Sequence, residues 1–78
     1  MKEIKVMLTG VERIAEFVNI MERLSVNADL GQGSIRIDAR SMMGVMAMDT
    51  MSPITLSIYE NEDVINDVVE KIDSFIAK

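Results

Sequence analysis

Residues 35–46 read Ile-Arg-Ile-Asp-Ala-Arg-Ser-Met-Met-Gly-Val-Met, and the backbone pattern changes within them. Ile35, Ile37 and Ala39 alternate with polar residues, which is typical of a strand with one buried face. From Ser41 to about Met48 the sequence instead predicts a short helix, because serine is a preferred residue at a helix start. The stretch therefore predicts a strand followed at once by a short helix, and the other elements can be placed on either side of it.

The chain before this stretch begins with a predicted strand and a long helix. Apolar residues occupy every second position of residues 3–8, which indicates a half-buried strand. Thr9-Gly10-Val11-Glu12 has the form of a capping box, in which the Thr9 hydroxyl accepts from the backbone N–H of Glu12 and the Glu12 side chain reaches back. Apolar residues at helical spacing then predict a helix as far as about Leu24.

Two further strands and a final helix complete the predicted elements. Alternation at residues 26–30 indicates a strand, and Gly-Gln-Gly at 31–33 has the backbone freedom that a tight hairpin needs. Residues 49–53 predict a turn, and apolar residues at 54, 56 and 58 predict a fourth strand. The last helix is predicted from about Glu62 to Ala77.

The predicted order is β-α-β-β-α-β-α, which indicates an α+β fold. Strands that alternate in polarity need one covered face, and two long amphipathic helices suffice to cover it. We therefore expect a four-stranded, mainly antiparallel sheet with helices on one face, in a single domain of residues 1–78. A chain of this length buries only about 60% of its unfolded surface, so we expect a thin core.

Composition excludes several classes of function. The chain has no cysteine and no histidine, so it lacks a disulfide scaffold and the usual ligands of zinc, copper or haem, and we expect neither a metal nor a cofactor. A serine without histidine leaves no usual catalytic triad, so an enzyme is not expected.

The net charge of −5 argues against binding to nucleic acid. Without a run of eighteen apolar residues or a leader, we expect no membrane segment and a cytoplasmic location.

The element order, with Ser-Met-Met-Gly-Val-Met at residues 41–46 between the third and fourth strands, resembles the histidine-containing phosphocarrier protein (HPr) family. This is the small cytoplasmic protein of the bacterial sugar phosphotransferase system. The resemblance covers essentially the whole chain and implies an open-faced β-sandwich. The regulatory serine site of Gram-positive members typically reads Ser-Ile-Met-Gly-Val-Met, and five of its six residues recur here.

The resemblance implies a regulatory site at Ser41. In the family this serine is phosphorylated by the HPr kinase/phosphorylase, and Arg36 and Arg40 are then candidate neighbours of the phosphate. An ordinary helix cap, with no further role, is the structural alternative for Ser41. The hydrophobic docking patch of the family would correspond to Met42, Met43, Val45 and Met46, some of which are expected in the core.

The family's catalytic site is where this chain departs from the pattern. Family members carry Gly-(Ile/Leu)-His-Ala-Arg-Pro after the first strand, whereas residues 9–14 read Thr-Gly-Val-Glu-Arg-Ile. Aligning the glycines puts Glu12 at the histidine position, and an ungapped alignment puts Gly10 or Val11 there. Glu12 either mimics a charged phosphohistidine or belongs to the capping box. Arg13 either echoes the family's phosphate-neutralising arginine or is a solvated helix residue.

Two functions of different class follow from these observations. The first is a non-catalytic HPr-like regulatory protein, similar to the catabolite-repression relative of HPr, whose partners would be the HPr kinase and a catabolite-control transcription factor. The second is a constitutive protein-interaction module with the same fold and no phosphate transfer. A third, a small-molecule site on the uncovered sheet face, finds only scattered outward residues such as Lys5, Arg36 and Asp38. The oligomeric state is left open.

Overall fold

The computed structural model describes residues 1–77, and its elements follow the predicted order. The strands and helices are β1 (Lys2–Val6), α1 (Val11–Leu24), β2 (Ala28–Gln32), β3 (Ile35–Asp38), α2 (Met42–Met46), β4 (Ile54–Ile58) and α3 (Glu62–Lys71). A single 3-10 turn at Asp73–Phe75 follows α3.

The four strands form one sheet in the order β1-β4-β2-β3, and every pairing is antiparallel. The central strand β4 aligns Leu56 with Ile4 of β1 on one side and with Leu30 of β2 on the other. Alternate residues point to opposite faces, so these side chains share the face that the helices cover. The predicted α+β fold, with an open antiparallel sheet and helices, is confirmed.

The core lies between the sheet and the long helices. Its centre consists of side chains with no exposed surface: Val6, Leu30 and Leu56 from the strands, and Phe17 and Met21 from α1. Helix α1 presents these residues at the helical spacing seen in the sequence, because positions three and four apart share one face. The α3 side adds Val68, Ile72 and Phe75, all buried.

The start of α1 differs from the prediction. The helix cap is Gly10, with φ of 94°, and it makes no side-chain capping bond. The first helical bond runs from the Ile14 backbone N–H to the Gly10 carbonyl at 3.1 Å. Because the helix begins at Val11 and Gly10 occupies the cap position, Thr9 lies one residue too early to cap it. The predicted capping box of Thr9 and Glu12 is therefore wrong.

The predicted last helix also ends early, at Lys71 rather than Ala77. After the 3-10 turn, Ile76 forms an antiparallel bridge with Val6, and the Ala77 N–H donates to the Lys5 carbonyl at 2.8 Å. This pairing covers an edge of β1 that would otherwise expose unpaired backbone groups. Lys78 lies outside the described residues.

Candidate functional site

Ser41 is fixed at the junction of β3 and α2. It is the N-cap of α2, with extended backbone angles, and its Oγ accepts from the Gly44 N–H at 3.3 Å. Its own N–H donates to the Asp38 carbonyl at 3.0 Å, and its carbonyl accepts from the Val45 N–H at 3.0 Å. The predicted N-cap is confirmed, and the half-buried hydroxyl carries a single long capping bond.

Close packing against β3 explains the glycine in the middle of this short helix. A Cβ built on Gly44 would overlap Ile37 Cγ2 and would lie 3.2 Å from Ile37 Cδ1 and 3.0 Å from Ser41 Oγ. A larger residue at position 44 would force α2 away from the sheet or turn the Ile37 side chain. Gly44 thus sets how α2 and the Ser41 cap lie on the sheet.

The four residues of the predicted docking patch separate into buried and exposed members. Val45 is fully buried, so it is not part of an accessible patch, and Met42 packs partly against the core. Met43 is 85% exposed and Met46 is 49% exposed. In the turn after α2, Met51 is 77% exposed.

A hydrogen-bonded clamp, which the sequence reasoning missed, holds the turn after α2 to the β2–β3 hairpin. The Gln32 side chain donates to the Asp49 carbonyl at 2.7 Å and accepts from the Asp49 N–H at 2.8 Å. The Asp49 carboxylate accepts from the Met51 N–H at 3.1 Å and from the Ser52 hydroxyl at 3.0 Å. An aspartate at the first position of a turn commonly accepts hydrogen bonds from the residues that follow it. The bonds of the Asp49 carboxylate could therefore have been predicted from the sequence.

The two candidate phosphate neighbours are each engaged by an aspartate. Arg36 Nη1 lies 3.1 Å from an Asp29 oxygen, and Arg40 Nε lies 3.2 Å from an Asp38 oxygen. The side-chain hydrogen bond from Arg40 lowers the pKa of Asp38, and the same bond raises the pKa of Arg40. Among residues 1–77, neither guanidinium bonds to Ser41.

These paired charges line a shallow cavity of about 310 Å³ on the sheet face opposite the helices. Arg36 and Asp38 both border it, although they looked scattered in the sequence, and the hydroxyl of Tyr59 donates to Asp29 there at 3.1 Å. Lys5 lies elsewhere on this face, where it donates to the Thr55 hydroxyl at 2.7 Å. Because the carboxylates and guanidiniums of the cavity pair with each other, no net charge remains to select a ligand.

On this same face of the sheet, one polar side chain of β4 is buried without a hydrogen-bond partner among the described residues. Ser57 is 1% exposed, and its Oγ has no hydrogen-bond partner within the part of the chain that the structure describes. Its neighbours across the sheet are Glu3 of β1 and Asp29 of β2. The buried hydroxyl carries a desolvation cost that no hydrogen bond offsets.

The three candidate positions of the missing histidine all lie at the start of α1. Gly10 is the cap, Val11 is the first helical residue and is 59% exposed, and Glu12 is exposed in the first turn. An acidic side chain is favourable there because the N-terminal end of a helix carries partial positive charge. None of the three side chains has a nucleophilic nitrogen.

Arg13 links α1 to the end of the chain. Its Nη2 donates to the Ser74 carbonyl at 2.7 Å, and its guanidinium lies 4.2 Å from the centre of the Phe75 ring. The same ring meets Phe17 edge to face at 5.5 Å. A cation over an aromatic face is attracted to it. Arg13 is therefore a partly exposed helix residue that also contacts the C-terminal segment.

Two kinds of feature are absent from the residues that the structure describes. Residues 1–77 contain no group of three or more acidic, histidine or cysteine side chains placed to hold a metal ion. None of the helices described in this range is long and apolar enough to cross a membrane.

Comparison with known proteins gives a match in structure. No protein-family profile matches the sequence, and no curated protein matches it either. Among solved structures, the chain is similar to HPr-C-His from Thermoanaerobacter tengcongensis, with a TM-score of 0.73 and 25% sequence identity. The alignment covers 95% of this chain and 93% of that one. The fold is therefore HPr-like over nearly the whole chain, which relates the protein to phosphocarriers.

Proposed function

We propose that this protein is a non-catalytic, HPr-like regulatory protein, in which phosphorylation of Ser41 controls the binding of a protein partner at α2. One observation carries the proposal. In a fold that is HPr-like over 95% of the chain, Ser41 caps the short helix after β3, two residues before the highly exposed Met43. A modifiable hydroxyl and an accessible apolar side chain thus share one short segment.

The start of α1 supports a role without phosphate transfer from histidine. A phosphohistidine relay needs an imidazole nitrogen as nucleophile, and the sequence contains no histidine. Glu12, Gly10 and Val11 offer no substitute at the corresponding place. The Arg13 guanidinium is held by the Ser74 carbonyl and the Phe75 ring, so it is not free to neutralise a phosphate at the start of α1.

Phosphorylation would act through charge at the cap of α2. A phosphate adds about −1.5 to −2 charges and three acceptor oxygens at neutral pH. The hydroxyl now accepts one long bond of 3.3 Å from the Gly44 N–H, and a phosphate oxygen would make a stronger, charge-assisted bond to a backbone donor. Added charge next to Met43 changes the surface that a partner meets, without any rearrangement of the core.

The paired arginines favour the second candidate function, a constitutive interaction module. A phosphoserine is commonly recognised by arginines, yet Arg36 and Arg40 are bound to Asp29 and Asp38. In a module without phosphate traffic, the apolar side chains of α2 alone would bind the partner. The two functions differ in whether Ser41 matters for binding.

Binding to a catabolite-control transcription factor distinguishes the two. We would measure the dissociation constant by calorimetry before and after treatment with HPr kinase and ATP. The regulatory proposal predicts tighter binding after treatment, loss of that gain in Ser41→Ala, and weak binding of Met43→Asp in both states. Ser34→Ala, an exposed serine in the β2–β3 turn, is the matched control and should behave as the parent.

The opposite pattern would favour the constitutive module. In that case Met43→Asp weakens binding of a partner, whereas kinase treatment and Ser41→Ala leave the dissociation constant unchanged. If Met43→Asp binds the partner as tightly as the parent does, α2 is not the binding surface, and both proposals are contradicted.

A further inference from the structure

We propose that Met43 and Met51 are oxidation sites, and that their conversion to methionine sulfoxide makes the exposed surface of α2 and of the turn after it more polar while the fold stays intact. The effect on partner binding rests on the proposed function; the oxidation itself does not. A two-electron oxidant such as hydrogen peroxide would then regulate the same surface that Ser41 adjoins.

The composition directs such an oxidant to methionine. The chain has eight methionines but no cysteine, histidine or tryptophan. Methionine is therefore the only sulfur-containing side chain, and it oxidises reversibly to the sulfoxide. Five of the eight methionines fall within residues 42–51.

Burial divides the methionines into accessible and protected sulfurs. Met43 and Met51 are 85% and 77% exposed, whereas Met21 is fully buried and Met48 is 6% exposed. A buried sulfur meets an oxidant only when the structure opens, so its oxidation is limited by the population of the open state. Met1, at 72% exposed, is a reference for an accessible sulfur away from α2.

The reaction needs only peroxide as a co-reactant. The methionine sulfur attacks one peroxide oxygen, the O–O bond breaks, and an S=O bond forms. The second oxygen leaves as hydroxide and takes the remaining proton to become water. Sulfur loses two electrons and peroxide gains them, and a methionine sulfoxide reductase restores the thioether.

The local structure allows this change without unfolding. Met43 and Met51 do not belong to the buried core, so a polar oxygen on either sulfur displaces no core packing. The turn that carries Met51 is held by Gln32 and Asp49 through backbone and carboxylate groups, none of which involves sulfur. What changes is the polarity of the exposed surface, because the sulfoxide is polar whereas the thioether is apolar.

Timed peroxide treatment of the full chain, followed by peptide mass mapping, tests the sites. Met43, Met51 and Met1 should oxidise at least about tenfold faster than Met21 and Met48, because the buried sulfurs require opening. The treated protein should keep its Tm and elute earlier from a hydrophobic-interaction column. The double variant Met43→Leu/Met51→Leu should show a clearly smaller shift in elution after treatment, because only Met1 and Met46 then remain as exposed sulfurs. Equal rates at all methionines, a loss of folded structure, or unchanged elution of the parent would each overturn the proposal.

A kinase measurement separates this proposal from the proposed function. For the oxidised chain, the initial rate of Ser41 phosphorylation by HPr kinase should fall at least about fivefold, because the kinase would dock on the altered surface. An equal rate in oxidised and untreated protein would overturn the regulatory part. If the untreated protein takes up no phosphate, the proposed function fails, and the elution shift alone then decides whether oxidation alters the surface.

Discussion

Replacing Gly44 by alanine tests how closely α2 lies on β3. An alanine Cβ would overlap Ile37 Cγ2 and would lie 3.0 Å from Ser41 Oγ, the oxygen that caps the helix. Either the Ile37 side chain changes rotamer or α2 moves away from the sheet. Both adjustments disturb the site, because the Gly44 N–H is the donor of the capping bond.

The expected destabilisation can be estimated from three effects. Overpacking of a tight contact costs about 1–3 kcal/mol, and loss of the Ser41 cap costs about 1 kcal/mol. In the opposite direction, alanine is about 1 kcal/mol more favourable than glycine within a helix. The sum is a loss of about 1–3 kcal/mol in the free energy of unfolding, or roughly 5–20 °C in Tm for a domain of this size.

Thermal unfolding by circular dichroism measures the effect, and Gly31→Ala is the matched control. The nearest atoms to a Cβ on Gly31 lie 3.8 Å away, which is ordinary contact, so that variant should be as stable as the parent. Adding Ile37→Leu, which removes the Cγ2 branch, should recover part of the loss in Gly44→Ala. If Gly44→Ala alone is as stable as the parent, α2 does not pack on β3 as described.

Three further predictions concern stability. Ser41→Ala should lower the free energy of unfolding by about 0.5–2 kcal/mol through loss of the cap, whereas Ser41→Asn should not lower it. Equal losses of free energy in the two variants, measured by urea titration, would contradict the capping role. Ser57→Ala should raise the free energy of unfolding by about 1 kcal/mol, because it removes a buried hydroxyl without a partner, and a lower urea midpoint would refute this. The hydrogen bonds from Arg40 lower the pKa of Asp38, so their contribution is fully present above about pH 4 and is lost as the pH falls through the lowered pKa. Arg40→Gln should therefore be less stable than the parent at pH 7, and this difference should shrink as the pH falls below about 4. A difference in stability that does not shrink in acid would argue against this pair.

The strands could be predicted because the sheet has only one covered face. Alternation at Ile54, Leu56 and Ile58 follows directly from burial on that face, and all three side chains are fully buried. The N-cap at Ser41 could be predicted for a local reason as well, since a cap depends on the residues of a single turn.

The error in the last helix arises where distant parts of the chain meet, whereas the error at the start of α1 is local. The apolar pattern of the last helix continues to Ile76, but pairing of Ile76 with Val6 of β1 converts that end into extended chain. Thr9 fits a capping box by spacing, yet the cap is the next residue, Gly10, and the helix begins at Val11. Helical spacing alone also does not reveal that Val45 faces the core while Met43 faces solvent.

The ion pairs of the site depend on strand register. Asp29 and Asp38 lie directly opposite each other on β2 and β3, where two like charges are unfavourable. Arg36 and Arg40 neutralise them, so these arginines are engaged by the sheet rather than by Ser41. A sequence pattern assigns side chains to a face, but it does not say which of them pair.

The most direct test of the regulatory proposal is an intact-mass measurement after incubation of the pure protein with HPr kinase and ATP. We predict the addition of one phosphate, located at Ser41 by fragmentation and absent in Ser41→Ala. No addition, with the same kinase active on an ordinary HPr in the same buffer, would contradict the regulatory proposal and leave an HPr-like fold that serves as a constitutive interaction module.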